Sequence, residues 1–549
     1  MYKPSDNMPL NSFQVVSPCE NQTDFRAGQV IRFIIPRSIG FWDPHTSRLQ
    51  LEVQTANNNF KMCFAHDCGV ASLIDMVRIS QNGIVLSETT EYATLNNLFT
   101  LYSDSLSVKQ RNSTQNGARD YVVGAAQPDL NVPALLNRTS TSGAVLGECL
   151  NSDGGLLMDK SPKKYQLELR GIGLFELMNV VPSIALGDLL IEIRLVNQNR
   201  QALKVHPATA VNFAVTPILA GVTTTLLTPA FVGFNNLADS PLLVGMKFKF
   251  TTVAGLASTD AEKTITALSQ DDDSGVITAT FTPIVGNAGA NDIGKTNFKI
   301  TSGNDQAANL VQTTAFVVNR SSLLLQVIRP PQQYIEEIAA KVQEGMMIDL
   351  NTYTTYRASV QSGIKNVTID IPAMMSRARA VFSVPRLQDN NEFGTGYLPT
   401  NAGAADGSDV GTNNVSNNIL GQYATLLRYR TQIGELYYPN QPVGLQQFVK
   451  VKQTHFSAQH IVELEKALNA AQIPLRSLNS TKQNFVIPRV LAKYGSSMNL
   501  DKGIRLYLEY LGNSATLSDG TTAVSLDVVT FVNHINRVMV TANGLEVLS

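Results

Sequence analysis

Several residue types are scarce in this chain of 549 residues. Its four cysteines (Cys19, Cys63, Cys68 and Cys149) are too few for a disulfide framework at this length, so we expect ordinary thiols. The six histidines give no positive support to histidine-based catalysis. Charged residues make up 16% of the chain, against about 25% in ordinary soluble domains. This composition excludes a coiled coil, a helical array and a disordered tail protein.

The charges that are present balance each other. Lys and Arg number 43, Asp and Glu number 44, and the net charge is -1. No basic excess exists to attract phosphates, which disfavours a dedicated nucleic-acid binder. The sequence has no run of 18 apolar residues that would predict a membrane span, and residues 1–16 lack the apolar core of a signal peptide. We therefore expect synthesis in a cytosol-like compartment.

Uncharged polar residues take the place of charge, and asparagine alone occurs 44 times. Such a composition favours strands joined by long turns, because asparagine, serine and threonine are poor helix formers. Alternating apolar and polar residues predict strands at 30–35, 49–53, 76–86, 165–170, 189–196, 367–371, 380–384, 504–510, 527–532 and 537–541. Within 76–86, Asn82-Gly83 is a strong signal for a type I′ hairpin turn.

Only three helices are predicted. In 332–344, apolar residues recur at helical spacing, with Pro330-Pro331 before them and Gly345 after them. Residues 457–471 form a second predicted helix with Ser457 as its N-cap, and residues 91–103 form a third.

Two segments interrupt the strand pattern. Residues 205–318 have little charge and much Thr, Ala and Gly, and predicted strands at 246–252, 276–282 and 297–301 indicate an inserted small β domain. Residues 388–418 consist almost entirely of turn formers and predict a long exposed loop.

The two halves of the chain resemble each other. Val180-Val181-Pro182 precedes the alternating strand that starts at Leu189, and Val486-Ile487-Pro488 precedes the one that starts at Ile504. Each half also has early short strands, a helix and a closing strand. We therefore predict a duplicated β domain.

One motif matches the phosphate-binding P-loop, G-x-x-x-x-G-K-[ST]. It runs from Gly289 to Thr296 and contains Lys295. A working P-loop needs a strand before it and a helix after it, so that backbone N–H groups face the phosphates. The residues that follow alternate like a strand, so we interpret this motif as a surface hairpin loop.

Other clusters of reactive side chains have simpler interpretations. Asp271-Asp272-Asp273 lacks the spaced ligands and closing Glu of an EF-hand, and we expect a hairpin turn there. The cluster from Cys63 to Cys68, which contains His66, has no second ligand pair for zinc. His460 and Glu463 lie on one helix face, and we expect both to be solvated. We assign no catalytic, metal-binding or cofactor-binding residue and expect no enzyme activity.

Four stretches together resemble a known family, the double jelly-roll major capsid proteins of tailless icosahedral double-stranded DNA viruses. The similarity is closest to the proteins of virophages and polinton-like viruses. The stretches cover 180–195, 329–338, 429–443 and 504–511. The resemblance extends over most of the chain outside 205–318, and it lies in pattern and order more than in a diagnostic motif.

The resemblance implies an all-β fold of two consecutive eight-stranded jelly rolls with few short helices and an inserted small β domain. It places an N-terminal arm at 1–27, the first roll at 28–204 plus 319–344 with its linker helix, a tower domain at 205–318, and the second roll at 345–549. Family members form homotrimers whose six rolls make a pseudo-hexagonal capsomer, with towers at the outer loops. The low, balanced charge agrees with this role, because it limits repulsion between many copies.

The same resemblance implies partners and a location. The partners are other copies of the chain, neighbouring capsomers, penton and minor capsid proteins, and host receptors at the tower loops, without sequence-specific nucleic-acid binding. The location is the virion shell, after synthesis in the host cytoplasm or a viral factory without secretion. Two other functions remain as alternatives. They are a β-rich glycan-binding or adhesin-type surface protein, and an NTPase that uses residues 289–296.

Overall fold

The structure is a computed structural model of the chain. It describes residues 11–18, 22–55, 62–64, 69–117, 162–177, 180–197, 203–205, 212–214, 219, 222–227, 247–251, 263–270, 277–282, 297–300, 316–387, 424–445, 457–476, 485–492, 495–511, 515, 523, 525–542 and 544–548.

The first half forms two facing sheets. One has the strand order β1-β18-β4-β8, with β2 beside β18 and β9 beside β4, and the other has the order β3-β10-β6-β7. All pairs are antiparallel. The strands are β1 (Asn11–Pro18), β2 (Asp24–Phe25), β3 (Val30–Ile35), β4 (Phe41–Thr55), β6 (Ile74–Gln81), β7 (Ile84–Thr90), β8 (Lys163–Leu167), β9 (Val181–Pro182), β10 (Leu189–Leu195) and β18 (Phe316–Arg329).

The second half repeats this arrangement. One sheet has the order β19-β27-β21-β24, with β25 beside β21 and β28 beside β27, and the other has the order β20-β26-β22-β23. The strands are β19 (Met346–Val360), β20 (Asn366–Ile371), β21 (Met375–Leu387), β22 (Leu426–Ile433), β23 (Leu436–Gly444), β24 (Ile487–Val490), β25 (Met498–Leu500), β26 (Ile504–Tyr510), β27 (Leu526–Thr541) and β28 (Gly544–Leu548).

The two strand orders are the same when the strands of each half are counted along the chain. In both halves the first, eighth, third and sixth main strands form one sheet, and the second, seventh, fourth and fifth form the other. This is the jelly-roll order. The predicted fold class, all-β with two consecutive jelly rolls, is therefore confirmed, and so is the equivalence of the long strands β10 and β26.

A further sheet comes from the segment between β10 and β18. Its six strands are ordered β12-β17-β14-β15-β16-β13. They are β12 (Asn212–Ala214), β13 (Thr224–Leu227), β14 (Lys247–Thr251), β15 (Lys263–Gln270), β16 (Ile277–Thr282) and β17 (Asn297–Ile300), and β5 (Met62–Phe64) pairs separately with β11 (Leu203–Val205). Phe248, Phe250 and Phe281 form its buried aromatic cluster, with ring centroids 5.2–5.5 Å apart. The predicted strands of this insert are confirmed.

Helices are short, and all three predictions are confirmed. They correspond to α1 (Tyr92–Tyr102), α4 (Gln332–Glu344) and α5 (Ala458–Ala470), while α2 (Leu106–Gln115) and α3 (Ser183–Leu186) were not predicted. The Ser457 side chain caps α5 by accepting a hydrogen bond from the backbone N–H of His460. Asn82 and Gly83 both have positive φ, as the type I′ turn between β6 and β7 requires.

The arm prediction for residues 1–27 differs from the structure in part. Residues Asn11–Pro18 form β1, an edge strand of the first roll that pairs with β18 along its whole length. An edge strand is not buried on both of its faces, and this one has no hairpin partner next to it in sequence. Its alternation of apolar and polar residues is therefore weak. The domain boundaries remain a prediction, although β18 starts three residues before the predicted 319.

The cores follow from strand periodicity. In β10 every second residue is buried, and the side chains of Leu189, Ile191, Ile193 and Leu195 enter the core of the first roll. Trp42, the only tryptophan, is fully buried there, and its Nε1 donates a 3.0 Å hydrogen bond to Ser183 Oγ. The second roll has its own core, which includes the inward residues of β26.

Candidate functional site

The P-loop motif lies outside the described residues, but its C-terminal neighbour is informative. Residues Asn297–Ile300 form β17, which pairs antiparallel with β12 and β14. A P-loop opens a helix whose N-terminus faces the phosphates. The strand at this position disfavours nucleotide binding and agrees with a hairpin loop.

The other motif residues give no site in the described part of the chain. Asp271–Asp273 lie outside it, and the flanking strands β15 and β16 pair antiparallel with Gln270 opposite Ile277, as a hairpin requires. Cys63 lies in β5, whereas residues 65–68, like His455, lie outside the described part. The described residues contain no group of three or more His, Cys, Asp or Glu that could hold a metal ion. None of their helices is long and apolar enough to cross a membrane.

The prediction that His460 and Glu463 are solvated is wrong. The His460 side chain is fully buried, its ring stacks on Phe485 with centroids 5.1 Å apart, and its Nδ1 shares a 3.0 Å hydrogen bond with the Tyr429 hydroxyl. Burial lowers the pKa of His460 to about 3. Glu463 is also buried, where Arg489 donates to it at 2.8 Å. Helical spacing shows which residues share a face but not that a neighbouring strand covers it.

The most elaborate arrangement of side chains lies where the two rolls meet, which we call the junction. Helix α1 belongs to the first roll, yet its apolar side packs on the outer face of the sheet β19-β27-β21 of the second roll, beside α5. Phe99 and Tyr353 meet edge to face with ring centroids 5.9 Å apart. The buried residues are Leu95, Leu98, Phe99, Leu101 and Tyr102 of α1 against Tyr353, Phe382, Val384, Val529 and Phe531 of the second roll. The junction therefore resembles a domain core rather than a loose contact.

One end of the junction is charged. Glu91, directly before α1, accepts hydrogen bonds of 2.9 and 3.1 Å from the guanidinium group of Arg386, which is almost fully buried. Arg357 lies 3.5 Å from the same carboxylate and also pairs with Asp527. Burial opposes ionisation of Glu91, but the two arginines outweigh it and lower the pKa of the carboxyl.

Side chains also bond to backbone across the junction. The Thr89 hydroxyl donates to the Tyr353 carbonyl at 3.2 Å, and the Thr355 hydroxyl donates to the Thr90 carbonyl at 2.9 Å. A Cβ atom on Gly173 would lie only 3.1 Å from Thr352 and 3.2 Å from Ser87. A larger side chain here would have to push Thr352 and Ser87 back by a few tenths of an ångström, because the turn Gly173–Glu176 presses against β19 and β7.

Sequence reasoning did not find the junction. Glu91 has a left-handed backbone (φ 56°), which no pattern in the sequence predicts. Its partner Arg386 lies almost 300 residues away. The available signal was indirect, since the helix over 91–103 has apolar residues on nearly every side. Such a helix must be covered by more than one neighbour.

The chain matches no protein-family model and no curated protein sequence. Solved structures, however, share its fold. The capsid protein VP54 of PBCV-1, in a crystal structure fitted into a cryo-electron-microscopy reconstruction of the virophage Sputnik, has a TM-score of 0.50, with 10% identity over 100% of this chain and 98% of that chain. A quasi-atomic model of the PBCV-1 capsid gives a TM-score of 0.50 and 11% identity over the same shares. The major capsid protein of mavirus has a TM-score of 0.43 and 10% identity, over 100% and 93%. The chain thus has the double jelly-roll fold of viral major capsid proteins.

Proposed function

We propose that this protein is a viral major capsid protein, whose homotrimers form pseudo-hexagonal capsomers that build an icosahedral shell. The observation that carries the proposal is the union of two jelly rolls of identical strand order through the extensive junction. Three such chains in a ring present six similar rolls, which suits a building block surrounded by six neighbours. The fold shared with capsid proteins supports the same conclusion.

The orientation of the rolls supports it as well. At the junction, Leu86 of β7 accepts a hydrogen bond from Asn536, opposite Leu350, whereas Thr90 at the other end of β7 bonds to Thr355. Strands β7 and β19 therefore run in the same direction, so the two rolls lie side by side with the same orientation.

A consequence concerns the two long interruptions of the strand pattern. The insert connects β10 to β18, and residues 388–423 connect β21 to β22. Because the two rolls have the same topology and the same orientation, all four of these strand ends lie at one end of the molecule. We propose that both segments contribute to towers on the outside of the shell, where they are available to host receptors.

The remaining details belong to the same proposal. The protein acts without catalysis, resides in the virion shell and contacts penton and minor capsid proteins. It is synthesised in the host cytoplasm or a viral factory. A virophage or polinton-like virus is the source that we propose.

The test is the native mass of the purified chain by light scattering, with negative-stain images of the same sample. We expect about three times 59.6 kDa and a hexagonal outline. A monomer that is retained on glycan columns would contradict the proposal and would favour a glycan-binding surface protein.

A further inference from the structure

A cavity of about 470 Å³ lies where the linker helix α4 meets both rolls. Its walls come from α4, from α3 and the turn Arg37–Ile39 of the first roll, and from the hairpin β27–β28 of the second roll. Sites that bind small molecules have volumes of about 300–1,000 Å³. The cavity is therefore large enough for a small-molecule ligand.

Most of the lining is apolar and helical. Its apolar side chains include Leu186 of α3, Leu545 of β28, and Ile335, Ile338, Ala339 and Val342 of α4. The backbone groups of α4 bond within the helix, and the N–H and carbonyl of Ile184 in α3 bond to Gly40 and Arg37. A peptide in this cavity would leave its own backbone N–H and C=O groups without partners, which is costly, whereas a hydrocarbon chain has no such groups.

One buried polar side chain lines the cavity without a partner. Gln81, the last residue of β6, is 9% exposed, and its side-chain amide makes no hydrogen bond within the described part of the chain. Its Nε2 lies beside Gly187, where an added Cβ atom would be only 2.9 Å away. The equivalent residue of the second roll is Ile433, because both directly precede the turn between the fourth and fifth strands. The fold therefore does not require an amide here, and an unpaired buried amide is costly unless a ligand bonds to it.

Arg37 is the one charged residue among the described residues that line the cavity. Its Nε donates a 2.9 Å hydrogen bond to the Ile184 carbonyl, which fixes the guanidinium group beside the cavity. The backbone N–H of Arg37 donates to Asp188, but the terminal guanidinium nitrogens make no hydrogen bond or ion pair in the part of the chain that the structure describes. These nitrogens are available to an anion, and a guanidinium group binds a carboxylate through two parallel hydrogen bonds.

We propose that this cavity binds a free fatty acid, with the carboxylate held by Arg37 and Gln81 and the acyl chain along α4. The carboxylate accepts hydrogen bonds from the guanidinium and amide N–H groups, and the chain covers the apolar lining. A cavity of this volume takes one acyl chain rather than the two of a phospholipid. Because its walls belong to both rolls, the bound fatty acid stabilises the folded chain.

The experiment titrates dodecanoate into the purified full chain by isothermal titration calorimetry, at pH 8 and below the concentration at which the probe forms micelles. We expect one saturable site per chain with a dissociation constant of about 100 μM or less. Dodecyltrimethylammonium carries a cationic head group on a chain of the same length. It should bind about tenfold more weakly or worse, because Arg37 repels it.

Three variants locate the site. Ala339→Trp places an indole in the cavity, and Ala340→Trp is the matched control, because Ala340 is the next residue of α4, is also exposed and does not line the cavity. We expect Ala339→Trp to weaken dodecanoate binding by about 30-fold or more, and Ala340→Trp to leave it within about threefold. Arg37→Gln should weaken dodecanoate binding by about tenfold and remove the preference for the anionic probe.

Several outcomes would overturn the proposal. One is the absence of saturable dodecanoate binding up to about 1 mM. Another is binding that the two tryptophan variants weaken equally, because the probe would then occupy a different apolar surface. If dodecanoate does not bind but Ala339→Trp alone lowers the yield of assembled shells, the cavity holds a protein segment instead. Should Ala339→Trp fail to fold, Arg37→Gln decides, since an unchanged preference for the anionic probe contradicts the proposed carboxylate site.

Discussion

The two jelly rolls use the same scaffold position for different purposes. Arg48 and Arg386 occupy equivalent places on the third strand of each roll, opposite Leu324 and Asp527. Arg48 stays within its own roll, where it donates to the backbone carbonyls of His45 and Ser47 and, at 2.7 Å, to Glu168. In the first roll this arginine therefore stabilises contacts within a single domain.

In the second roll the equivalent arginine holds two domains together. Arg386 is almost fully buried, and its carboxylate partner, Glu91, comes from the first roll. The duplicated fold supplies the position, and the residues that approach it decide whether it stabilises a domain or a contact between domains. An arginine suits both uses, because its planar fork binds carboxylates through two hydrogen bonds.

A second pair of equivalent residues shows the same divergence. Phe41 lies opposite Pro182 and Phe382 lies opposite Pro488, so each roll packs a phenylalanine beside a proline at an edge strand. Phe41 is covered by the linker helix, through a contact with Tyr334 at 5.3 Å between ring centroids. Phe382 is covered by the helices α1 and α5.

We expect the largest difference in stability between the two rolls when each of the two arginines is replaced in turn. Arg386→Ala leaves Glu91 partly buried beside only the more distant Arg357, and we expect a loss of about 3–5 kcal/mol. Arg48→Ala leaves Glu168 with Arg170 and Arg111, so its loss should be about 1–2 kcal/mol. Urea unfolding of both variants with the wild type measures the difference. Equal losses would show that Arg386 does not depend on the junction.

Much of the fold could be predicted from the sequence, and the reasons are local. Strand β10 alternates without interruption from Leu189 to Leu195, and Asn82-Gly83 permits a turn that few other pairs can form. The junction could not be predicted, because it joins segments distant in sequence and depends on which face of α1 meets which sheet. The prediction that His460 is solvated was wrong for a related reason. Helix α5 is covered on more sides than the spacing of its apolar residues indicates.

Two carboxyl groups at the junction, Glu91 and Glu176, have pKa values that are shifted in opposite directions. The arginines lower the folded-state pKa of Glu91, so its contribution to stability is present above the unfolded pKa of about 4.3 and is lost as the pH falls through the folded pKa. We expect Glu91→Gln to cost about 2–3 kcal/mol at pH 7, and less with each step below pH 5.

The matched substitution is Glu176→Gln. Burial raises the pKa of Glu176, so its ionisation opposes folding as the pH rises above the unfolded pKa. Glutamine retains the carbonyl oxygen that accepts from the Gly171 N–H. We expect this variant to be at least as stable as the wild type at pH 7, in thermal scans run from pH 4 to pH 8. A loss comparable to that of Glu91→Gln would contradict this assignment.

Acid should act more strongly on the second roll than on the first. Burial lowers the pKa of His460 to about 3 and that of His534 to about 4, whereas His45 in the first roll is exposed. A buried neutral histidine loses stability as the pH falls below the unfolded pKa of about 6.5, because only the unfolded chain takes up the proton. Near pH 5 each costs about 2 kcal/mol.

His460→Gln removes one of these protonation sites. We expect it to be less stable than the wild type at pH 7, where the stacking on Phe485 is lost, but to lose less further stability between pH 7 and pH 5. Amide exchange of β22 and β24 against β3 and β10 would locate the effect. Parallel pH profiles for variant and wild type would show that folding does not lower the pKa of His460.

The smallest expected effect on stability concerns the hairpin that joins the fourth and fifth strands in each roll. In the first roll both central residues, Asn82 and Gly83, have positive φ, whereas in the second only the first, Gly434, does. A type I′ turn needs glycine at its second position, and a turn with glycine first does not. Gly83→Ala should therefore cost about 1 kcal/mol, while Glu435→Ala at the equivalent place should change stability by less than about 0.5 kcal/mol. Thermal unfolding of the two variants measures this difference. An equal loss of stability would mean that the two turns have the same geometry despite their different residues.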